Sequence, residues 1–258
     1  MERKSRTDPT EAGASTIVDE PTTGRTFSTS RRVSVADADP TGRMELDAVA
    51  RFLQDTGNDD TDDAGLPALG LAWVARRAVI EVRHPASSRE KLKLTTWCSG
   101  TGPRWAERRT SITGEQGARI EAAVIWVHLD ATSGRPVPWG SEFATRYLEA
   151  THGRRVDAKL RHEKETPAGA TSTPWSFRAT DMDAFGHVNN AAYLAIAEEL
   201  LELDASPVRI EVEWRGPSVA GELLTIWSAT EDSERQLWVR STTDASLRAT
   251  IRKSALTD

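Results

Sequence analysis

Cysteine is nearly absent. Cys98 is the only one in 258 residues, so no disulfide can form within the chain, which suits a reducing, cytoplasmic compartment. The plain reading of Cys98 is a small packing residue in a strand. No long apolar run is present either; the longest fall far short of the ~20 residues that a membrane-spanning helix needs. Nor is there a basic excess. Lys and Arg number 33 against 39 Asp and Glu, a net charge of −6, which is the wrong sign for bulk contact with nucleic acid. Met1 to Arg6 carry charge with no apolar stretch behind them, so no secretory signal is expected. The sequence calls for no metal and no cofactor.

What is present is apolar bulk, with nine tryptophans among the 258 residues. The length suits two domains of roughly 100–130 residues. Residues 1–25 are rich in Thr, Ser, Glu, Asp, Pro and Gly and read as a disordered tail. Residues 150–173 are a second polar stretch and read as a linker. Between these lie two segments that look alike, 26–149 and 174–258. Asp37-Ala38-Asp39-Pro40-Thr41-Gly42-Arg43-Met44 lines up with Asp181-Met182-Asp183-Ala184-Phe185-Gly186-His187-Val188. Leu94-Thr95-Thr96-Trp97 parallels Leu224-Thr225-Ile226-Trp227, and Trp105 to Arg109 parallels Trp238 to Arg240. Three matches in one order point to duplication.

Leu46, Val49, Ala50 and Leu53 have helical spacing in the first copy. Ala191 to Leu201 is apolar nearly all round in the second, broken by Glu198 and Glu199, and must be buried on most sides. Val79 to Val82, Ala122 to Val127 and Ile210 to Trp214 alternate as strands do. The fold class is therefore α+β, each half a helix wrapped by a curved antiparallel sheet.

The run from Asp181 to Tyr193, with His187-Val188-Asn189-Asn190 and Tyr193, resembles the central-helix motif of hotdog thioesterases, and in particular of the acyl-ACP thioesterases. Gln54, Trp73-Val74, Arg83-His84-Pro85, Thr96-Trp97, Arg108-Arg109 and Trp126-Val127 resemble that family's N-terminal domain. The resemblance covers about residues 26–258. It implies a double hotdog that hydrolyses fatty acyl-ACP in fatty acid biosynthesis, with the acyl chain held in the groove of the N-terminal half. Acyl-CoA hydrolysis is the alternative, as is a degenerate hotdog that binds acyl groups without cleaving them. A hotdog dehydratase is disfavoured, because no His-Pro-Gly signature is found. The partner is then an acyl carrier protein or a CoA thioester. Arg154, Arg155, Lys159 and Arg161 would meet an acidic carrier, unless they are an ordinary solvated linker. Whether two chains associate as a homodimer is left open.

Thioester cleavage needs an activated water or nucleophile and donors for the carbonyl oxygen as it gains charge. Asp183 is the candidate base or nucleophile, and His187 can hold a water or move a proton. Gly186 and His187 are expected at the helix N-terminus, where free N–H groups would serve as the oxyanion site. Asn189 is assigned with Asp183 and His187 to catalysis, and Asn190 orients with Gly186. The plainer alternatives are that Asp183 is a cap, His187 a core residue and Asn190 a backbone partner. Phe185, where the family has Asn, is expected to line the substrate channel. Pro217 falls where the plant enzymes carry a catalytic Glu. In the first copy Arg43 replaces His187 and Pro40 stiffens the loop, so the chemistry is assigned to the C-terminal half.

Overall fold

The computed structural model describes residues 17–66, 71–130, 132–231 and 233–256. Among the described residues, ten strands form one continuous antiparallel sheet, accompanied by three α-helices. The first half contributes β1 (Thr26–Arg32), α1 (Leu46–Asp63), β2 (Leu71–His84), β3 (Lys91–Thr101), β4 (Trp105–Gly114), β5 (Arg119–Asp130) and the short α2 (Ser141–Tyr147). The second contributes β6 (Thr171–Ser176), α3 (Ala192–Leu200), β7 (Val208–Trp214), β8 (Leu223–Glu231), β9 (Glu234–Ser241) and β10 (Leu247–Ala255). The strand order is β1-β3-β4-β5-β2-β7-β10-β9-β8-β6. The double hotdog architecture is thus present, with the two half-sheets fused edge to edge. β2 pairs with β7 along Arg77↔Glu213 to Val82↔Val208, with Ile80 opposite Ile210. Joining the halves this way satisfies the backbone groups that each would otherwise expose at a sheet edge.

One face of the sheet packs on α1 and α3, which lie against each other. Leu46, Val49 and Leu53 of α1 are buried, as their spacing predicts, and so are Tyr193, Leu194, Ile196 and Ala197 of α3. These side chains and the inward positions of the strands make one apolar core. Its helices are held chiefly by this burial, since α3 is too short to be stable alone.

The register corrects two of the repeat alignments. Arg32 pairs with Lys91 and Ser176 with Leu223, so Leu92 and Leu94 correspond to Leu224 and Ile226. The sequence match of Leu94 to Leu224 is shifted by two residues, a slip that keeps every side chain on its face and so leaves the apolar pattern intact. Leu94 faces Ile112 while Ile226 faces Val239. Trp238 therefore takes the place of Ser111 rather than of Trp105.

The first sixteen residues lie outside the described residues. Residues 17–25 have no helix or strand, yet they are fastened to the body. Arg109 Nε donates to the Val18 carbonyl at 3.2 Å, and the Arg25 guanidinium donates to Asp60 Oδ1 at 2.8 Å and to Asp63 Oδ2 at 2.6 Å. The stretch between the halves is also tied down. Trp105 Nε1 donates to the Val156 carbonyl, Arg77 to that of Lys159 and Trp238 Nε1 to that of Glu163. β6 then begins at Thr171.

Candidate active site

Each half has the same loop ahead of its main helix. In the second copy Asp183 N–H donates to the His187 carbonyl at 2.8 Å, and Gly186 N–H to the Asp183 carbonyl at 3.1 Å. Asp183 Oδ1 accepts from Phe185 N–H at 2.9 Å and His187 N–H at 3.2 Å. In the first, Asp39 N–H donates to the Arg43 carbonyl, Gly42 N–H to the Asp39 carbonyl, and Asp39 Oδ1 accepts from Thr41 and Arg43 N–H. Gly42 and Gly186 have φ of +89° and +76°, which only glycine adopts without strain and which the tight loop requires. Met182 bridges to Val188 as Ala38 does to Met44. The sequence repeat is therefore a repeat of hydrogen bonds.

This geometry overturns one expectation. Gly186 and His187 do not sit at a helix N-terminus; α3 begins at Ala192. The N–H groups of Phe185, Gly186 and His187 are all spent inside the Asp183 loop and cannot stabilise an oxyanion. The head of α3 is built instead by Asn189. Its N–H donates to the Asp181 carbonyl, and its Oδ1 accepts from Ala191 N–H at 2.8 Å. Val188 N–H is taken by the Ser218 carbonyl. Among the described residues, Asn190 N–H and the Asn189 Nδ2 group have no hydrogen-bond partner.

The remaining expected residues are placed as follows. Asp183 is half-buried, with Oδ1 used by the loop and Oδ2 without a partner among the described residues. The His187 ring is exposed at the loop. Phe185 is 83% exposed at the loop tip. Pro217 is exposed beside the buried Ser218, whose hydroxyl accepts a hydrogen bond from Tyr193 O–H or donates to it across 2.9 Å. Burial pushes the Tyr193 phenol up to about 12 against that hydrogen bond, so it stays protonated. Of the linker cations, Arg154 is paired with Glu107 and Arg161 with Asp157, while Arg155 and Lys159 are exposed.

The equivalent place in the first half is closed. Glu198 reaches over from α3. Its Oε1 accepts Leu46 N–H at 2.5 Å, and its two oxygens accept the Arg43 guanidinium at 3.2 and 2.7 Å. Arg43 also lies 3.1 Å from Asp39 Oδ2. Leu46 corresponds to Asn190 and Arg43 to His187. Burial raises the Asp39 carboxyl, but the hydrogen bonds from Thr41 and Arg43, with the Arg43 charge, outweigh it and hold it below the usual carboxylate range. The first half thus has its carboxylate neutralised and its helix head occupied. Sequence reasoning missed Glu198 in this role because a glutamate on a helix gives no sign of which distant N–H it will cap.

The acyl-ACP thioesterase N-terminal domain family matches residues 24–147, and the acyl-ACP thioesterase C-terminal domain family matches residues 163–255. The chain is similar to two uncharacterised proteins of Mycobacterium tuberculosis, from strains CDC 1551 / Oshkosh and H37Rv, each 31% identical over 214 residues that span 81% of this chain and 85% of the relative. Among solved structures it is similar to an acyl-ACP thioesterase from Bacteroides thetaiotaomicron, with a TM-score of 0.74 and 16% identity over 89% of this chain and 97% of that one. It is similar also to the 12:0-ACP thioesterase from Umbellularia californica, with a TM-score of 0.71 and 16% identity over 89% and 96%. These two likenesses carry the fold, and the family matches carry the chemistry, across both halves. The chain belongs to the acyl-ACP thioesterase family, thioester hydrolases of fatty acid metabolism.

Proposed function

We propose that the chain hydrolyses fatty acyl-ACP in the cytoplasm, at a single site beside the head of α3. The observation that supports this reading is the contrast between equivalent donors. Leu46 N–H in the first half already holds a carboxylate oxygen, whereas Asn190 N–H and Asn189 Nδ2 are open. A thioester oxygen that gains charge would be met there by two preorganised donors at the positive end of a helix. The thiolate leaves readily, since a thiol's pKa is near 8.5, so no strong acid is needed. Asp183 Oδ2 is the anionic base for water, and His187 holds or relays the proton. Gly186 closes the loop that aims Asp183, and Phe185 offers an apolar side chain to the incoming acyl group. A homodimer is no requirement of this reading, because both helices at the site come from one chain.

Acyl-CoA is the second candidate substrate, because Arg154 and Arg161, two of the four linker cations that would meet an acidic carrier, are already paired, with Glu107 and Asp157. The deciding experiment compares wild type with Asp183→Asn on matched acyl-ACP and acyl-CoA panels. The asparagine oxygen can still accept both loop N–H groups, so the fold should hold. The rate should fall by about 10²–10⁴. Wild-type turnover in the variant at an unchanged melting temperature sinks the assignment, and a preference for the CoA panel moves the substrate.

A further inference from the structure

Gln54 lies in the middle of α1, in the half without the chemistry, yet its side chain ends at the site. Its Nε2 donates to Asn189 Oδ1 at 3.0 Å, the same oxygen that accepts Ala191 N–H. The helix N–H fixes which end of the Asn189 amide is oxygen, and the second donor from Gln54 saturates that oxygen. The Nδ2 end is then turned away from both. We propose that Gln54 is a positioning residue for the C-terminal site, holding the Asn189 amide with its N–H groups toward the thioester oxygen. This rests on the reading of Asn189 given above.

The other half supplies an independent argument. Arg43 corresponds to His187 and Leu46 to Asn190, and the same spacing makes Gln54 the counterpart of Glu198. Both residues cross from one helix to the head of the other. Glu198 brings a carboxylate and fills the donor position with it, fixing Arg43 as well. Gln54 brings a donor and gives it to the amide oxygen of Asn189, and among the described residues Asn190 N–H stays open. One exchanged side chain per helix therefore closes one head and arms the other. A second carboxylate at position 54 would repel Asn189 Oδ1 and compete for the substrate's place.

The test uses the full chain and its best substrate from an acyl-ACP panel running from octanoyl to stearoyl. Gln54→Met keeps the length and loses the donor; Gln54→Glu keeps the size and polarity and also has no N–H to give. Both should lower kcat by roughly five- to tenfold, the worth of one such hydrogen bond, with KM little changed and melting temperature held in at least one of them. The double variant with Asn189→Ala should be no slower than Asn189→Ala alone, because Gln54 acts only through that amide. Full kcat in both single variants, or multiplicative losses in the double, overturns the role of Gln54 while leaving the hydrolase intact. A wild-type chain inert toward every acyl-ACP and acyl-CoA overturns the hydrolase reading and this one with it.

Discussion

At the scale of single residues, Phe185 is the sharpest departure from the family's motif, which has Asn there. An aromatic ring 83% exposed at the tip of the loop that carries Asp183 contributes nothing to the folded chain's core. Replacing it with asparagine should leave the melting temperature unchanged, since surface changes away from such contacts stay within about 0.5 kcal/mol. If the ring meets the acyl chain, the loss should appear in binding, at about 1.5–3 kcal/mol, with kcat nearly unaltered. Steady-state kinetics on one chain length measure both. A faster kcat at unchanged KM shows instead that the amide assists the attacking water and that the ring was only tolerated.

At the scale of elements, the heads of α1 and α3 depend on partners far away in sequence. Glu198 is 152 residues from the N–H it caps. Glu198→Ala should leave Leu46 N–H uncapped and Arg43 with Asp39 as its only acid. Losing a cap and one side of a largely buried pair should cost about 2–4 kcal/mol, read as a lower urea midpoint, while turnover at the other head persists. An unchanged midpoint shows that the contact is idle.

These long-range contacts also mark what could be read from the sequence. The two loops were legible because their hydrogen bonds close over two to four residues, and Asp and Gly at fixed spacing dictate them locally. The helices were legible from the positions of Leu46, Val49, Leu53 and the apolar run at Ala191. The start of α3 was not, because whether His187 or Ala192 opens the helix depends on the Met182–Val188 bridge and on the Ser218 carbonyl that takes Val188 N–H. α2 was also missed: its seven residues are too few for a periodic signal. The strand alignments erred only by slips that the period of two hides.

At the scale of the whole molecule, the two halves are joined at the seam where β2 meets β7. Arg209 bridges Glu81 on β2 and Glu211 on β7, at 2.6 and 2.8 Å. Burial pushes the Glu211 carboxyl up, but the His162 ring and the Arg209 fork outweigh it and bring it from 4.5 down to about 2. A depressed carboxyl stabilises the fold above its unfolded value and loses that contribution as pH falls through the folded one. The seam should therefore weaken between about pH 4.5 and pH 2. In Glu211→Gln that part of the acid dependence should be missing from urea midpoints measured across this window; an identical profile in the variant places the acid lability elsewhere.

The crossing of Gln54 and Glu198 between the helices bears on how such a chain can be inherited and recombined. The head of each main helix takes a side chain from the other half. A C-terminal segment grafted onto a foreign N-terminal half would arrive with its Asp183 loop whole and its Asn189 amide unclamped, and it would bring Glu198 to a host helix head never selected to receive it. Drift at position 54 is answerable to position 189, and drift at 198 to position 43. Active chimeras should accordingly arise where both helices are exchanged together, and crossovers in the stretch between the halves should yield folded but slow proteins.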